Sequence, residues 1–398
     1  MNITIYPGKL SGQIRAIPSK SQAHRFLICA AFADKPTFIQ CPNTNQDIEA
    51  TARSLSAIGA KIRYRDDGYY VEPVCSIPNQ AKIDCGESGS TLRFLLPICC
   101  ALGIRTIIHM SGRLPARPLS PLWEELQAHG CCLSRPTNDS ILVEGKLKPG
   151  TYTVAGNVSS QYISGLLFAA ALMDGKSNIH ITGKLESVPY VEMTQLALRC
   201  FGIESNDYIV TGKFPFSSPE QLCVEGDWSN AAFFLVAKAI GNSVEVVGLD
   251  LASSQGDKAI MQIISRCERK PVIDISDIPD LAPILAVYFA TQNGATFTNI
   301  QRLRLKESDR VASVSKMLRA FGIDAEYSED TLRISSGAFH AGYIDAMNDH
   351  RIAMAAAIAA TVAKGPVTIY GAECVAKSYP AFWEEYRRLG GNYEQYLR

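Results

Sequence analysis

Residues 18–33, PSKSQAHRFLICAAFA, begin with small polar residues and continue into a segment that is apolar on nearly all sides. A helix that is apolar all round is buried in a protein core, so this stretch predicts a buried helix with a polar first turn. The same pattern begins again at five later positions, residues 88, 159, 227, 278 and 348. Successive starts lie 70, 71, 68, 51 and 70 residues apart, and a period held over six copies indicates a repeated structural unit.

Each predicted buried helix is followed, 27 to 32 residues later, by an amphipathic helix, with a strand-like segment between the two. After most of these helices the chain passes a glycine into alternating residues, as in IGAKIRYRDDGYYVEP at 58–73, which favours a strand, a turn and a second strand. The predicted unit is therefore βαβαββ, and it occurs six times. The fourth copy is about 20 residues short, so we expect some of its closing strands to be missing.

Six such units exceed what one core accommodates, so we predict two domains of three units each. The polar, proline-containing stretch KFPFSSPEQLCVE at 213–225 is the predicted boundary. The first domain would then comprise residues 18–220, and the second would include residues 221–398. We classify the fold as α/β (α+β), with three buried helices inside each domain and the sheets outside.

The composition is that of a globular chain whose charges balance. Among its 398 residues, Lys and Arg together number 39, and so do Asp and Glu. A nucleic-acid-binding protein usually carries an excess of positive charge, so we expect no nucleic-acid partner. The longest apolar run, residues 352–363, is shorter than the roughly 20 residues that span a bilayer, so we expect no membrane partner either.

The twelve cysteines occur without a secretory signal, because the first residues, MNITI, do not form a basic segment followed by an apolar one. Two pairs, at 99–100 and 131–132, are adjacent in sequence and are awkward to bridge. We therefore expect reduced, mostly buried thiols and a cytoplasmic protein.

The polar segments at the starts of the buried helices are candidate ligand-binding positions. A helix N-terminus presents unpaired N–H groups and positive potential, so it can bind phosphate or carboxylate. Three of these segments, at 19–21, 86–91 and 159–161, contain serines or glycines. Serine at such a position could instead serve as a helix cap and bind no ligand. The cations that accompany such segments are Lys20, Arg25, Arg93 and Arg351. Arginine is seldom buried without an anionic partner, which favours binding of a small anion.

A dense charge cluster, RLRLKESDR at 302–310, opens the amphipathic helix of the fifth copy. Lys306 and Arg310 stand four residues apart near the helix N-terminus, where the macrodipole disfavours cations. The segment could be a solvated helix start, but cations at this end of a helix suggest that they face something anionic.

Two acids are candidates for proton transfer. Asp280 precedes a strongly apolar helix, where desolvation could tune its pKa, although it could also be a helix N-cap. Glu307 lies in the charge cluster and could instead form an ion pair with Arg310. The six histidines and the cysteines lack zinc-ligand spacing, and no glycine motif of the nucleotide-binding kind occurs.

Nine short segments together resemble the 5-enolpyruvylshikimate-3-phosphate synthases, a branch of the enolpyruvyl transferase family. They follow the order and spacing of that family over essentially the whole chain: PSKSQAHRFL (18–27), GESGSTLRFL (86–95), ARPL (116–119), VSSQYISGLL (158–167), SVPY (187–190), IPD (278–280), LKESDR (305–310), NDHRIAM (348–354) and AKSYPAFW (376–383). The family fold has two domains of three βαβαββ units, an inside-out barrel around buried helices. The resemblance implies that the second domain is 1–17 plus 221–398 and that the active site lies in the cleft between the domains.

The activity implied by the resemblance is transfer of an enolpyruvyl group from phosphoenolpyruvate to the 5-hydroxyl of shikimate 3-phosphate, with release of phosphate. This step belongs to the shikimate pathway, which leads to chorismate and the aromatic amino acids. The resemblance implies neither a metal nor an organic cofactor. The expected partners are the two small-molecule substrates, and we expect a monomer.

The resemblance also implies roles for individual residues. The implied shikimate 3-phosphate contacts are Lys20, Ser21, Arg25, Ser159, Ser160, Gln161, Ser187, Tyr190, Asp280 and Lys306. The implied phosphoenolpyruvate contacts are Lys20, Gly89, Arg117, Gln161, Arg310, Arg351 and Lys377. Asp280 is the implied base for the attacking hydroxyl. Glu307, with Lys20 nearby, is the implied proton donor to the methylene carbon.

Several positions depart from the family pattern. Arg302 stands where many relatives carry an asparagine near the shikimate ring. Glu87 and Ser88 replace a common Asn-Ala pair, and Phe94 replaces a frequent proline. The nearest alternative is the sister enzyme that uses UDP-N-acetylglucosamine, but that enzyme usually carries a cysteine where this chain has Gly112. A non-catalytic or RNA-end-processing relative is a further alternative, which the balanced charge and the presence of both acids disfavour.

Overall fold

The computed structural model describes residues 1–212, 214–266 and 270–396. The strands are β1 (Asn2–Tyr6), β2 (Ser11–Arg15), β3 (Thr37–Gln40), β4 (Lys61–Arg65), β5 (Gly68–Glu72), β6 (Gln80–Asp84), β7 (Arg105–His109), β8 (Cys131–Ser134), β9 (Ser140–Gly145), β10 (Thr151–Ala155), β11 (Lys176–Thr182), β12 (Ile209–Thr211), β13 (Gln221–Cys223), β14 (Ser243–Val247), β15 (Val272–Asp274), β16 (Ala295–Thr298), β17 (Ala325–Tyr327), β18 (Thr331–Ile334), β19 (Gly342–Asp345), β20 (Val367–Tyr370) and β21 (Asn392–Tyr396). The α-helices are α1 (Lys20–Ala31), α2 (Gln46–Ala57), α3 (Gly89–Leu102), α4 (Leu122–Ala128), α5 (Ser160–Leu172), α6 (Val188–Cys200), α7 (Trp228–Ala239), α8 (Ile260–Ser265), α9 (Ala282–Thr291), α10 (Arg310–Ala320), α11 (His350–Ala360) and α12 (Phe382–Arg388).

The chain divides into two compact units. Unit I is Pro18–Glu225, and unit II is Met1–Ile17 together with Gly226–Arg398. Unit I extends beyond the predicted boundary at residue 220, because β13 pairs in parallel with β3 and so keeps residues 221–225 with it. Residue 213, where the predicted boundary stretch begins, lies outside the described residues.

The sheets of unit I share one arrangement. In the sheet ordered β6-β7-β9-β8, the first two strands are parallel, and β9 and β8 complete it in antiparallel fashion. Helix α3 connects β6 to β7 and α4 connects β7 to β8, which gives the βαβαββ order. The sheet β13-β3-β5-β4 repeats this arrangement, and the sheet β10-β11-β12 has its first two strands parallel and the third antiparallel.

Unit II repeats this strand arrangement, and two of its sheets include a strand from the first fifteen residues of the chain. The sheet β15-β16-β18-β17 resembles those of unit I. In the sheet β19-β20-β1-β21, the strand β1 lies between β20 and β21 and is antiparallel to both. The short fourth copy contributes β14, which pairs in parallel with β2 from the first residues of the chain. The first fifteen residues therefore take part in two sheets of unit II.

The helices that were predicted from all-round apolar sequence form the two cores. In α5 every residue from Tyr162 to Leu172 is buried, and in α9 every residue from Ala282 to Ala290. Helices α1 and α3 join α5 in the core of unit I, and α7 and α11 join α9 in that of unit II. No helix within the described residues is both long and apolar enough to cross a lipid bilayer.

Helices α3 and α5 approach each other closely at Gly165. Pro97 lies inside α3 and has no N–H, so the carbonyl group of Arg93, four residues earlier, receives no hydrogen bond from it. A Cβ atom at Gly165 would overlap that carbonyl oxygen. Glycine at this position therefore sets the spacing between the two helices, and with it the position of the polar residues at their N-termini.

We expect Gly165→Ala to destabilise the protein by roughly 1–3 kcal/mol, because the added methyl group must push the α3 backbone away. Urea unfolding of the two proteins measures the difference in the free energy of unfolding. Gly150→Ala is the control, since the nearest atom to a Cβ there is 3.7 Å away. A loss below roughly 0.5 kcal/mol for Gly165→Ala, the range of ordinary surface substitutions, would contradict the close approach.

Candidate active site

Three helix N-termini of unit II bring charged side chains together. Asp280 lies two residues before α9, Lys306 and Glu307 precede α10, and Arg351 lies in the first turn of α11. With Arg310 and Asp349 they form a group that we call the Arg310 cluster, whose six members are Asp280, Lys306, Glu307, Arg310, Asp349 and Arg351. All of the unit II residues in the predicted site except Lys377 belong to this cluster.

Arg310 is the centre of the cluster and is only 1% exposed. Its Nε donates to Asp349 Oδ2 at 2.9 Å, its Nη1 to Asp280 Oδ1 at 2.6 Å and its Nη2 to Glu307 Oε2 at 2.6 Å. One guanidinium thus binds three carboxylates, and such charge-assisted hydrogen bonds are the strong ones. The sequence suggested that Arg310 faces something anionic, and in the structure the protein's own acids surround it.

Asp280 is bound by cations through both of its carboxylate oxygens. Besides the bond to Arg310, Oδ1 lies 3.4 Å from Lys306 Nζ, and Oδ2 accepts from Arg351 Nη2 at 2.9 Å. Burial alone would raise the pKa of Asp280, but Arg351, Lys306 and Arg310 together hold it well below the ordinary value. The alternative that Asp280 only caps a helix is not supported, because the N-cap of α9 is Leu281 and no side chain bonds there.

Lys306 has an unusual protonation equilibrium. Its side chain is 22% exposed. Burial, opposed in part by the charge of Asp280, lowers the pKa of Lys306 to about 8. Arg302, in the short 3-10 helix Gln301–Leu305 just before it, also lowers this pKa by charge repulsion. Lys306 therefore changes its charge within a pH range in which the protein can be assayed.

Glu307 forms the ion pair with Arg310 that the sequence allowed as an alternative to a proton-transfer role. This contact stabilises the carboxylate form of the side chain. The position of Glu307 three residues before Arg310 places both side chains at the start of α10. A proton-donor role therefore requires a change in the pairing of Arg310.

Asp349 was not predicted as a site residue, although it is completely buried in the Arg310 cluster. It is the N-cap of α11, where its Oδ1 accepts from the N–H of Arg351 at 3.0 Å. Its Oδ2 accepts from Ser308 Oγ at 3.0 Å as well as from Arg310. Burial would raise the pKa of Asp349, but Arg310 more than offsets this and lowers it. The motif NDHR contained the residue, but nothing local indicated its partner.

Lys377 lies in the 3-10 helix Ala372–Lys377 and is 6% exposed. Its Nζ donates to the carbonyl oxygen of Asn348 at 2.7 Å, which places it beside the residues that lead into α11. Unit II therefore gathers four predicted cations, Lys306, Arg310, Arg351 and Lys377, at or beside helix N-termini, where anions are favoured.

In unit I, α1 and α6 are joined through Arg25, which is 2% exposed. Its Nε donates to Thr194 Oγ1 at 2.8 Å, and its two Nη atoms donate to the carbonyl oxygens of Ser21 and Tyr190, each at 2.7 Å. The three predicted residues Ser21, Arg25 and Tyr190 therefore lie together. Burial lowers the pKa of Arg25 to about 10, so the side chain stays charged near neutral pH.

The start of α5 carries three further predicted residues. Ser159 is the N-cap, and its Oγ accepts from the N–H of Gln161 at 3.3 Å. Ser160 follows as the first residue of the helix and is 4% exposed. Gln161 accepts from Arg93 Nη1 at 3.1 Å and donates to Ser90 Oγ at 3.0 Å, so it bridges α5 to α3.

Ser187, the predicted phosphate contact before α6, has a left-handed backbone with φ of +57°. A residue other than glycine adopts this conformation only when its surroundings impose it, and such strain is concentrated at functional sites. Ser187 is 1% exposed and is followed directly by the helix N-terminus at Val188.

Two guanidinium groups approach the start of α3. A Cβ atom at Gly89 would lie 2.5 Å from Arg93 Nη1 and 2.8 Å from Arg117 Nη1. A side chain at this position would therefore have to displace both guanidinium groups. Lys20, at the start of α1, donates to Asp47 Oδ2 at 2.8 Å, and this acid, in the first turn of α2, was not predicted from the sequence.

The structure brings the predicted residues of unit II together around Arg310 and at Lys377, and in unit I it joins Arg25 with Ser21 and Tyr190 and places Arg117 beside Gly89. Among the described residues, no set of three or more His, Cys, Asp or Glu side chains has an arrangement that could hold a metal ion. The carboxylates of the Arg310 cluster are instead neutralised by guanidinium groups. The arrangement can hold anions, and its guanidinium groups keep the carboxyl groups of Asp280 and Asp349 ionised.

The chain is similar to known proteins over nearly its whole length. The family model described as EPSP synthase (3-phosphoshikimate 1-carboxyvinyltransferase) matches residues 5–386. A protein named 3-phosphoshikimate 1-carboxyvinyltransferase from Clostridium beijerinckii is 38% identical, with 99% of each chain covered. One with the same name from Clostridium kluyveri is 36% identical over 99% of this chain and 98% of its own.

Solved structures with little sequence identity share the fold. An EPSP synthase from Acinetobacter baumannii has a TM-score of 0.80 at 23% identity, with 99% of both chains covered. The enolpyruvyl transferase NikO from Streptomyces tendae has a TM-score of 0.76 at 17% identity, covering 99% of this chain and 98% of its own. These similarities confirm the fold class predicted from the repeated pattern.

Proposed function

The chain belongs to the EPSP synthase family, whose activity is enolpyruvyl transfer in the shikimate pathway, and we propose that residues of both units carry out this transfer from phosphoenolpyruvate to the 5-hydroxyl of shikimate 3-phosphate. The observation that carries the assignment of residues is the Arg310 cluster. In it the proposed base, Asp280, is bound by Arg310 and Arg351, both of which are proposed to bind phosphoenolpyruvate.

Shikimate 3-phosphate is proposed to be bound by small polar groups and cations. Ser159, Ser160 and Ser187 hold its phosphate group, and the strained backbone of Ser187 supports this role. The ring hydroxyls and carboxylate contact Ser21, Arg25, Gln161, Tyr190, Asp280 and Lys306. Because Arg25 already bonds the backbones of Ser21 and Tyr190, it also orders that part of the site.

Phosphoenolpyruvate is proposed to be held by the cations, the backbone at Gly89 and Gln161. The residues assigned to it are Lys20, Gly89, Arg117, Gln161, Arg310, Arg351 and Lys377. The substrate carries a phosphate and a carboxylate, and arginine suits both groups because its fork of N–H donors binds two oxygens at once. The close approach of Arg117 to Gly89 supports a shared contact there.

The proposed reaction has two stages. In the first, the 5-hydroxyl oxygen bonds to C2 of phosphoenolpyruvate, Asp280 takes the hydroxyl proton, and Glu307 with Lys20 supplies a proton to the methylene carbon C3. In the second, the bond from C2 to the phosphate oxygen breaks with its electron pair going to the phosphate, and Glu307 with Lys20 takes a proton back from C3. Asp280 passes the hydroxyl proton to the departing phosphate. The enolpyruvyl double bond is then restored on the new oxygen, and inorganic phosphate is released.

Substrate binding explains how Asp280 can act as a base despite its low pKa. An anion that takes hydrogen bonds from Arg310 and Arg351 draws them away from the Asp280 carboxylate. With those contacts weakened, burial would dominate and raise the pKa of Asp280. The same change would release Glu307 from Arg310, so that it can hold the proton it donates. The cluster thus stores Asp280 in ionised form until phosphoenolpyruvate arrives.

The loop at Gly112 does not support the alternative assignment, in which the acceptor substrate is UDP-N-acetylglucosamine. Gly112 has φ of +56°, and a Cβ atom there would overlap the carboxyl group of Glu87. The cysteine that the sister enzyme usually carries at this position could not be accommodated without moving Glu87. We propose further that the enzyme acts in the cytoplasm as a monomer and uses no cofactor.

The test of the proposed function is release of phosphate from purified protein. We expect release only when phosphoenolpyruvate and shikimate 3-phosphate are both present, and no release with UDP-N-acetylglucosamine in place of shikimate 3-phosphate. Release with the nucleotide sugar alone as acceptor would overturn the substrate assignment.

Binding of shikimate 3-phosphate is expected to weaken as the pH rises through about 8, because Lys306 loses its positive charge there. Calorimetric titration from pH 6.5 to 9.5 measures the Kd. In Lys306→Arg the guanidinium stays protonated over this range, so the inflection should disappear. An inflection of the same size in both proteins would show that another group is responsible.

A further inference from the structure

A row of four polar side chains runs through the core of unit I from α1 to α3. His24 Nδ1 lies 2.7 Å from Thr51 Oγ1, Thr51 Oγ1 lies 2.7 Å from Thr91 Oγ1, and Thr91 Oγ1 lies 2.7 Å from Ser88 Oγ. His24 and both threonines are completely buried, and Ser88 is 1% exposed. We call these four residues the hydroxyl chain.

The direction of the bond from Thr91 to Ser88 fixes the direction of the other two bonds in the hydroxyl chain. Thr91 donates its single hydroxyl hydrogen to Ser88, which also accepts from the Thr91 N–H at 3.2 Å. Thr51 must then donate to Thr91, because a hydroxyl has only one hydrogen to give. With that hydrogen used, Thr51 can only accept from His24, so the His24 proton lies on Nδ1.

The surroundings of His24 agree with this neutral form. Burial, and then the charges of Lys20 and Arg25, keep the pKa of His24 well below its ordinary value. Nε2 is buried and has no hydrogen-bond partner among the described residues. A proton there would be a buried donor without an acceptor, which is costly.

Both ends of the hydroxyl chain lie beside proposed phosphoenolpyruvate contacts. Ser88 is the N-cap of α3, and the next residue is Gly89. His24 lies one helical turn after Lys20 on α1. The Thr91 hydroxyl is also 3.5 Å from the carbonyl oxygen of Asp47, whose side chain binds Lys20.

We propose that His24, Thr51, Thr91 and Ser88 are positioning residues that hold the Gly89 backbone and the start of α1 in the arrangement that binds phosphoenolpyruvate. The inference rests on the proposed function, because that assigns phosphoenolpyruvate to Gly89 and Lys20. The hydroxyl chain itself touches no reacting atom. Its effect is on the position of the groups that do.

Thr91→Val tests the proposal, since valine keeps the shape of threonine and removes the hydroxyl. We expect the KM for phosphoenolpyruvate to rise about tenfold, the scale of one lost buried hydrogen bond, while the KM for shikimate 3-phosphate stays within about twofold. Thr91→Ser, which restores the hydroxyl, should return most of the affinity. Thr37→Val is the control, because Thr37 is a buried threonine of the same unit that bonds Ser218 Oγ at 2.8 Å, outside the hydroxyl chain.

A second measurement reads the tautomer of His24 directly. In ¹⁵N-histidine NMR spectra of the unaltered protein, we expect a protonated Nδ1 and an unprotonated Nε2, unchanged between pH 6 and 8. An Nε2–H tautomer or an imidazolium would overturn the bond directions, even if Thr91→Val fails to fold. Equal rises in both KM values, or an unchanged KM for phosphoenolpyruvate in folded Thr91→Val, would overturn the positioning role. If the unaltered protein releases no phosphate, the proposed function fails instead, and the NMR result still decides the bond directions.

Discussion

Replacing Asp280 by asparagine is expected to lower kcat by a factor of roughly 10²–10⁴, the usual contribution of a general base. Asparagine keeps the size of the side chain but cannot take the proton of the attacking hydroxyl. Binding should change little, because Arg310 and Arg351 remain and are no longer held by the Asp280 charge. Single-turnover phosphate release measures the chemical step, and calorimetric titration measures the binding of each substrate.

Asp324→Asn is the matched control for Asp280→Asn, because it neutralises an exposed acid of the same unit. It should have the activity of the unaltered protein. If Asp280→Asn lost substrate binding but turned over normally once saturated, Asp280 would be a binding residue and not the base. If its kcat stayed within a factor of about three, another group would have to accept the proton.

Replacing Arg310 by methionine is expected to destabilise the protein by roughly 3–5 kcal/mol, the cost of removing one partner of a buried ion pair. Methionine keeps much of the length of the side chain but leaves the carboxylates of Asp280, Glu307 and Asp349 without their shared cation. Urea unfolding at pH 7 measures the change. Arg319→Met, at an exposed position of the same helix α10, is the control and should change stability by about 0.5 kcal/mol or less.

The pH dependence of the Arg310→Met deficit identifies its cause. In the unaltered protein the pKa of Asp349 and that of Asp280 are lowered on folding, so these acids contribute stability above their unfolded pKa of about 3.9, and that contribution is lost as the pH falls through the lowered values. The two proteins should therefore converge in stability as the pH is lowered from 7 into the acid range. A deficit that stays constant as the pH falls below about 4, where the paired acids of the unaltered protein become protonated, would point to lost packing and not to unpaired carboxylates.

The repeated fold could be predicted because its signal is local. Segments such as SSQYISGLLFAAALMDG at 159–175 are apolar on every side, and only burial inside a domain satisfies that pattern. The end of unit I could not be located as well from sequence. It depends on β13, whose partner β3 lies about 180 residues earlier, and a pairing over that separation leaves no trace in the local pattern.

In the candidate site, too, local contacts could be predicted from the sequence and long-range contacts could not. Glu307 and Arg310 are three residues apart, so their ion pair could be anticipated from helix geometry. The contact between Arg310 and Asp349 joins residues 39 apart, and sequence reasoning identified the arginine but not the acid. The hydroxyl chain is still less visible, because buried threonine and histidine have no distinctive sequence pattern. The family resemblance supplied the roles, and the structure supplied the partners.

The central position of β1 in its sheet sets an order for folding during synthesis. Strand β1 leaves the ribosome before its partners β20 and β21, which are made about 365 and about 390 residues later, or roughly 20 to 80 s at the usual rate of translation. Unit I is continuous in sequence and is complete before most of unit II exists. The nascent chain therefore carries an unpaired apolar strand ahead of a finished domain, and the last strands to be made close the sheet around the first.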